Sequence, residues 1–170
     1  MSTAFSYEHV FRVSSIETLL AAYFDPDHLA TQDKLAELAD RTVVESEDTA
    51  AIKKCVWRVR AVKPLPVYVR AFVTGSHLSY LESMSWRRAD NAIDLVVTPE
   101  ILGGRVSITA LYEFTQVAEG QVRRKYSGSI SVNIRLLSGK IERGIRDKFE
   151  ESMPIMTGCT QDWLDRTHAR

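Results

Sequence analysis

The sequence predicts an α+β fold, a curved antiparallel sheet of about seven strands packed on one long C-terminal helix, with two short helices after the first strand. Three observations predict it. From Arg41 to Leu136 apolar residues recur with period two, as in half-buried strands. The runs are separated by short turn signals, which join antiparallel neighbours, and not by the helical crossovers that parallel strands need. After Ser138-Gly139 the apolar period becomes helical.

The elements follow in order. Phe5 to Val13 reads as a strand with Phe5, Tyr7, Phe11 and Val13 on one face and His9 among them. Ser14, three residues before Glu17, is placed as a capping box for a helix over Ile16–Phe24. Asp25-Pro26-Asp27 stops that helix, and Asp27 is placed to cap a second one running to about Ala39, with Leu29, Leu35 and Leu38 as its apolar stripe. Strands are expected at about 41–47, 51–62, 67–75, 77–88, 92–98, 105–117 and 121–136, the segments 67–75 and 77–88 forming either a hairpin or one bent strand. Lys63-Pro64-Leu65-Pro66, Gly75-Ser76, Asp90-Asn91, Leu102-Gly103-Gly104 and Glu119-Gly120 supply the turns. A sheet of that many strands curls. The last helix carries the stripe Ile141, Ile145, Phe149, Ser152, Met156, Cys159, Trp163 opposite Arg143, Asp147, Glu150 and Asp165. Pro154 kinks it, or Pro154 and Gly158 split it in two.

Composition narrows the function classes. A chain of 170 residues with 45% hydrophobic and 26% charged residues suits a single globular domain over 1–170. Its 22 basic residues balance 22 acidic ones, so no field draws it to nucleic acid or to anionic lipid. Cys55 and Cys159 lack CxxC spacing and read as structural thiols of a reducing compartment. Met1 to Tyr7 has no signal-peptide pattern, and no stretch is apolar enough to span a bilayer, so a cytoplasmic protein without stable membrane insertion is expected, transient membrane contact being left open. GxSxG, HExxH and GxGxxG motifs are absent, and His9, His28, His77 and His168 have no metal-ligand spacing, so neither metal nor cofactor is expected. Arg123-Arg124-Lys125 alternates faces along a strand, and Arg87-Arg88 reads as a solvated strand end.

Three polar residues interrupt apolar strand faces. His9 shares its face with Tyr7 and Phe11; Glu82 shares one with Leu78, Tyr80, Met84 and Trp86; Arg124 shares one with Val122, Tyr126, Ile130, Val132 and Ile134. A charge on a buried face needs a partner or is driven neutral. The candidate site is an apolar cavity between sheet and helix, in which His9, Glu82 and Arg124 orient a headgroup. Tyr7, Phe11, Cys55, Trp57, Val59, Tyr80, Met84, Tyr112, Phe114 and Tyr126 line it from the strands, and Ile145, Phe149 and Met156 from the helix. The plainer reading makes His9 a hydrogen-bonded core residue and the apolar positions ordinary core, and a bulge after Ser79 would turn Glu82 outward.

The order of strand, two short helices, antiparallel strands and long C-terminal helix resembles the START-like superfamily, also called SRPBCC. Leu65-Pro66, Leu81-Glu82-Ser83-Met84-Ser85-Trp86 and Leu136-Leu137-Ser138-Gly139-Lys140-Ile141-Glu142 resemble an uncharacterised bacterial branch of it. The resemblance implies a helix-grip fold and a cavity for a hydrophobic small molecule such as a lipid, sterol, quinone or polyketide. The glycine-rich loop of the plant pathogenesis-related relatives is replaced by Glu47-Asp48-Thr49-Ala50-Ala51, so no phosphate cradle is expected there. Binding or carrying such a molecule is the leading expectation. A cyclase or aromatase using His9, Glu82 and Tyr126 is the second, and a protein-interaction module without a ligand the third.

Overall fold

The computed structural model describes residues 2–65, 67–70, 77–100, 103–135 and 137–168, with 68 and 69 described by backbone alone. Strand β1 (Ser2–Arg12) is followed by helices α1 (Ile16–Ala22) and α2 (Pro26–Leu35). Strands β2 (Leu38–Asp48) and β3 (Ile52–Pro64) precede a short helix α3 (Val67–Arg70). Strands β4 (His77–Arg87), β5 (Ala92–Pro99), β6 (Val106–Ala118) and β7 (Gln121–Val132) lead to helix α4 (Ser138–His168). The strands form one antiparallel sheet in the order β1-β7-β6-β5-β4-β3-β2. Each hairpin pairs with the next, and β1 closes on the last strand.

The helix starts differ from expectation by one or two residues. Ser15, not Ser14, caps α1, its hydroxyl accepting from the Thr18 amide at 3.2 Å. Asp25, not Asp27, caps α2, because Pro26 at the first helical position leaves the amides of Asp27 and His28 to be satisfied, and Asp25 Oδ1 accepts both. α1 ends at Ala22, not Phe24. α2 ends at Leu35 and Leu38 opens β2, since Glu37 takes a positive φ of 56° that no α-helix can carry. The strand expected at 67–75 is a helical turn over 67–70, and 71–75 lies outside the described residues. The two prolines flanking Leu65 suit a turn before a strand, but proline is equally at home ahead of a first helical turn.

Turns elsewhere follow the sequence chemistry. Asn91, Gly103, Gly104 and Gly120 all have positive φ. The segment 49–51, where no phosphate cradle is expected, is a tight β2–β3 turn in which the Thr49 hydroxyl accepts from the Ala51 and Ile52 amides.

The inward face of the sheet is set by register. One row across it runs Tyr7, Tyr126, Tyr112, Ile93, Trp86, and the next runs Phe5, Gly128, Ala110, Leu95, Met84. Gly128 is pinched there: a Cβ built on it would lie 2.1 Å from the Thr109 carbonyl oxygen and 2.8 Å from Ala110 Cα. Glycine in a strand marks such a close backbone approach, here between β7 and β6. No bulge interrupts β4, whose Glu82 stands opposite Trp57 on one side and Val97 on the other, so Glu82 keeps the inward phase.

Helix α4 is continuous for 31 residues through Pro154, so Pro154 does not split it. Pro154 removes the donor for the Glu150 carbonyl. Both residues are exposed, so solvent can take that carbonyl. The N-terminal half of the expected stripe faces the sheet, Ile141 being buried and Ile145 and Phe149 half-buried against the core, while Met156, expected to line the cavity, is half-buried without packing on that core cluster. Beyond it the buried face moves round to include Thr157, Thr160, Gln161 and Leu164. Three of these are polar, so hydropathy alone could not place them.

Gly128→Ala is expected to cost about 1–3 kcal/mol or more through overpacking against backbone that cannot move aside. Gly158→Ala, in open space within α4, should gain about 0.5–1 kcal/mol. Urea denaturation of the two variants checks the contrast.

Candidate functional site

Polar side chains seat α4 at one edge of the sheet. Thr3 donates to Glu142 Oε2 at 2.7 Å, Arg124 Nη2 donates to Thr157 at 3.1 Å, and the Gln161 amide pairs with both backbone groups of Arg12, at 2.9 and 3.1 Å. His28 of α2 completes the set from the other side, its Nε2 lying 3.0 Å from the Thr160 hydroxyl. Its Nδ1 faces the Ala22 carbonyl at 2.7 Å and must therefore carry the proton. The close backbone contacts of α4 thus run to β7, β1, α2 and α1, while β2–β6 have no comparable approach to it among the described residues.

Under the middle of the sheet, Tyr80, Val97 and Tyr112 on the strands, and Ile145, Phe149 and Met153 on the helix, are packed against the core yet only half-buried, and Glu82 beside them is half-buried too. The tyrosines among them are nonetheless deep. Desolvation raises the Tyr80 hydroxyl above its ordinary value and raises Tyr112 well above it, with the Glu82 charge adding to both. Tyr126, itself buried, is raised first by desolvation and then by the Glu82 charge. Stacked rings run along the inner face from the groove side: Tyr7 on Tyr126 at 6.3 Å, Tyr126 on Tyr112 at 4.5 Å and Tyr112 on Tyr23 at 5.3 Å, with Phe149 tilted over Tyr126 at 6.5 Å.

Glu82 enters this region tied to a network that the sequence did not reveal. Arg41 donates to both oxygens of Asp33 at 2.7 Å and to Glu82 Oε1 at 3.0 Å, and its guanidinium lies 5.4 Å over the Trp57 ring. A register shift between Ala39 and Thr42, with Asp40 at a φ of 56°, aims Arg41 inward. Burial opposes the Arg41 charge, but the bonds to Asp33 and Glu82 outweigh it and hold the group above its ordinary value. Two carboxylates share one cation, so the network carries one excess negative charge at the Glu82 end.

Arg124 and His9 are cross-strand partners and belong to a different place. Arg124 is 5% exposed, donates from Nη1 to the Tyr23 hydroxyl at 2.8 Å, and lies over the rings of Phe11 at 5.1 Å and Tyr112 at 5.6 Å. His9 is exposed, with its ring edge on Phe11 at 4.7 Å. Both line an open groove of about 800 Å³ between β1 and α4. The structure therefore does not unite His9, Glu82 and Arg124 at one polar end: Glu82 is held by Arg41 beneath β4, and Arg124 by Tyr23 and Thr157 beneath β7.

Of the other expected lining residues, Phe11, Trp57, Met84 and Tyr126 are buried members of the core, and Tyr7 faces the groove. Tyr23, His28, Asp33, Arg41, Thr157, Thr160 and Gln161 are not singled out by sequence. Arg41 alone leaves a trace, as a charged residue at the point where the period switches. No group of three His, Cys, Asp or Glu side chains that could hold a metal occurs among the described residues.

A family model described as "Protein of unknown function (DUF2505)" matches residues 6–164. No curated protein sequence matches the chain. Among solved structures, a protein of Thermus thermophilus is similar at 13% identity, with 98% of this chain and 99% of that one covered and a TM-score of 0.67. A START superfamily protein from Mycobacterium smegmatis is similar at 7% identity, over 96% and 98% of the two chains, with a TM-score of 0.60. The Zhui aromatase/cyclase from a Streptomyces species is similar at 7% identity, over 96% and 92%, with a TM-score of 0.58. Likeness at such identities shows the fold, and the fold is the helix grip of the START-like superfamily.

Arg41→Met leaves Asp33 and Glu82, both largely buried, without their cation, and is expected to cost about 3–5 kcal/mol in chemical denaturation. His28 is held below the ordinary histidine value of 6.5 chiefly by burial, against the pull of the Ala22 carbonyl and Asp25. The unfolded chain then takes up a proton before the folded one does. Stability is complete above about pH 6.5 and falls as pH drops below it. Urea midpoints followed from neutral to mildly acid pH should fall less steeply in His28→Asn than in the parent.

Proposed function

We propose that this chain, which belongs to the DUF2505 family, binds a hydrophobic small molecule in a hollow between the sheet and α4. The observation that carries the reading is the seating of α4 on β1 and β7, which leaves Tyr80, Glu82 and Tyr112 deep but accessible opposite Ile145, Phe149 and Met153. An alkyl body there gains roughly 0.8 kcal/mol per buried methylene before ordering costs, enough for micromolar binding by a short chain.

The polar groups favour a ligand that donates a hydrogen bond to Glu82, because the network there has carboxylate in excess. Tyrosines with raised values stay protonated at ordinary pH, so Tyr80 and Tyr112 can donate to a ligand oxygen but cannot serve as bases. Tyr126 is raised in the same way, and His9 lies in the outer groove away from Glu82, so the expected cyclase trio is not assembled, which supports a binder over a proton-shuttling cyclase. The fold it shares with an aromatase/cyclase agrees with a ligand between sheet and helix without specifying one.

Native mass spectrometry with solvent extraction, on protein purified from its own host, should give a reproducible lipophilic mass. Tyr112→Phe should weaken rebinding of the extracted compound about fivefold, the loss of one hydrogen bond. An extract without such a mass, together with no uptake of a fluorescent apolar probe, would make the interior an ordinary core and overturn the reading.

A further inference from the structure

Arg124 presents a charge without a counter-charge. Its side chain is 5% exposed, yet its only hydrogen-bond partners among the described residues are the neutral hydroxyls of Tyr23 and Thr157. A guanidinium has five N–H donors. Two are used here, and the buried Nε has no partner. Two aromatic faces stabilise the cation but accept none of the remaining hydrogens in its plane. Burying a cation this way costs several kcal/mol, and the ordinary remedy is a carboxylate. Glu82, the inward carboxylate of the sheet, is already bonded to Arg41.

The accessible part of Arg124 opens at the floor of the groove between β1 and α4. Tyr7, His9 and Val10 form one wall and Met153, Pro154 and Gly158 the other. The groove, at about 800 Å³, has the size of a small-molecule site. Its walls are mixed apolar and aromatic, and its rim carries Glu8, Glu150 and Asp162 against Arg12. The acidic rim opposes any anion, a dianion about twice as strongly as a monoanion, so what the single charge at the floor can hold is a monoanion. Partial desolvation against Phe11, then the positive charges of Arg124 and Arg12, holds the His9 ring below its ordinary value beside the floor.

We propose that this groove is a second ligand site, bordering the interior region through Tyr7 and Met153, which takes a monocarboxylate with an apolar body by pairing its carboxylate with Arg124. The body lies along Tyr7, Val10 and Met153, and His9 lies at the carboxylate end. The two sites have opposite polarity, a hydrogen-bond donor for Glu82 inside and an anion for Arg124 in the groove, and neither requires the other.

The test uses the full chain and three probes, benzoate, its neutral analogue benzamide and inorganic phosphate, followed by NMR at the His9 ring and the Val10 methyls, which face the groove alone. Benzoate should shift both signals saturably, and benzamide and phosphate should bind roughly tenfold or more weakly. The titration midpoint of His9 should rise in the benzoate-saturated protein, because the anion offsets the field of Arg124. Arg124→Met, which keeps the volume and removes the charge, should abolish the benzoate response. Gly158→Leu fills the groove from the helix side, where a Cβ meets nothing within 4 Å, and should give the same loss with Arg124 intact, also where Arg124→Met does not fold. Equal responses to benzoate and benzamide, no saturable response, or a response confined to Tyr112 and Phe149 of the interior would each overturn the proposal. So would a benzoate response that survives in either variant.

Discussion

The polar seating of α4 decides the rest of this structure. A purely apolar stripe would let the helix slide to whichever part of the curved sheet buried it best, because hydrophobic contact is non-directional. Hydrogen bonds are not. Thr3 to Glu142 near its start, and Arg124 to Thr157, the Gln161 amide on the Arg12 backbone and His28 of α2 beside Thr160 over its second half, hold it over β1 and β7. Each involves a buried group that would be costly to leave unpaired, so the position is specified more sharply than packing alone would specify it. The space beneath β3–β6 and the groove outside β1 both follow from where the helix stops.

Two buried charge systems sit on either side of that line, and they are built on opposite principles. Asp33, Arg41 and Glu82 form a satisfied network with carboxylate in excess, joining α2 to the sheet beneath Trp57. Arg124 is cushioned by hydroxyls and rings with no acid beside it. Both guanidiniums lie against aromatic faces, which lets a cation remain in a desolvated place. The difference lies in what each still lacks, a donor in the first system and an acceptor in the second. The chain as a whole is balanced in charge, so this local asymmetry cannot be seen in its composition.

Reading the amino-acid sequence by period and turn chemistry recovers the sheet, its antiparallel order and the long last helix, because those depend on contacts near in sequence. It misses the caps of α1 and α2 by one or two residues, since Ser14 and Ser15, and Asp25 and Asp27, are equally good caps in isolation. It places Glu82 and Arg124 inward from the strand phase, and both are inward. It also joins them in one headgroup site, and the structure gives them different partners. Two residues can share a face of a sheet and still be separated by the rows between them.

The sequence by itself determined the α+β class, the strand count to within one, the inward phase of Tyr80, Glu82, Tyr112 and Arg124, and the helical course of residues beyond Ser138. These follow from periodicity, which is a local property of the chain. Only the tertiary structure decided that α4 rests on β1 and β7, that Thr157, Thr160 and Gln161 face inward, and that Arg41 is the partner of Glu82. It also decided that Arg124 has no acid partner among the described residues. Those outcomes rest on pairings between residues such as Thr3 and Glu142, or Arg12 and Gln161, far apart along the chain. No pattern of hydrophobicity records such pairings, because both members are polar and each alone looks like surface.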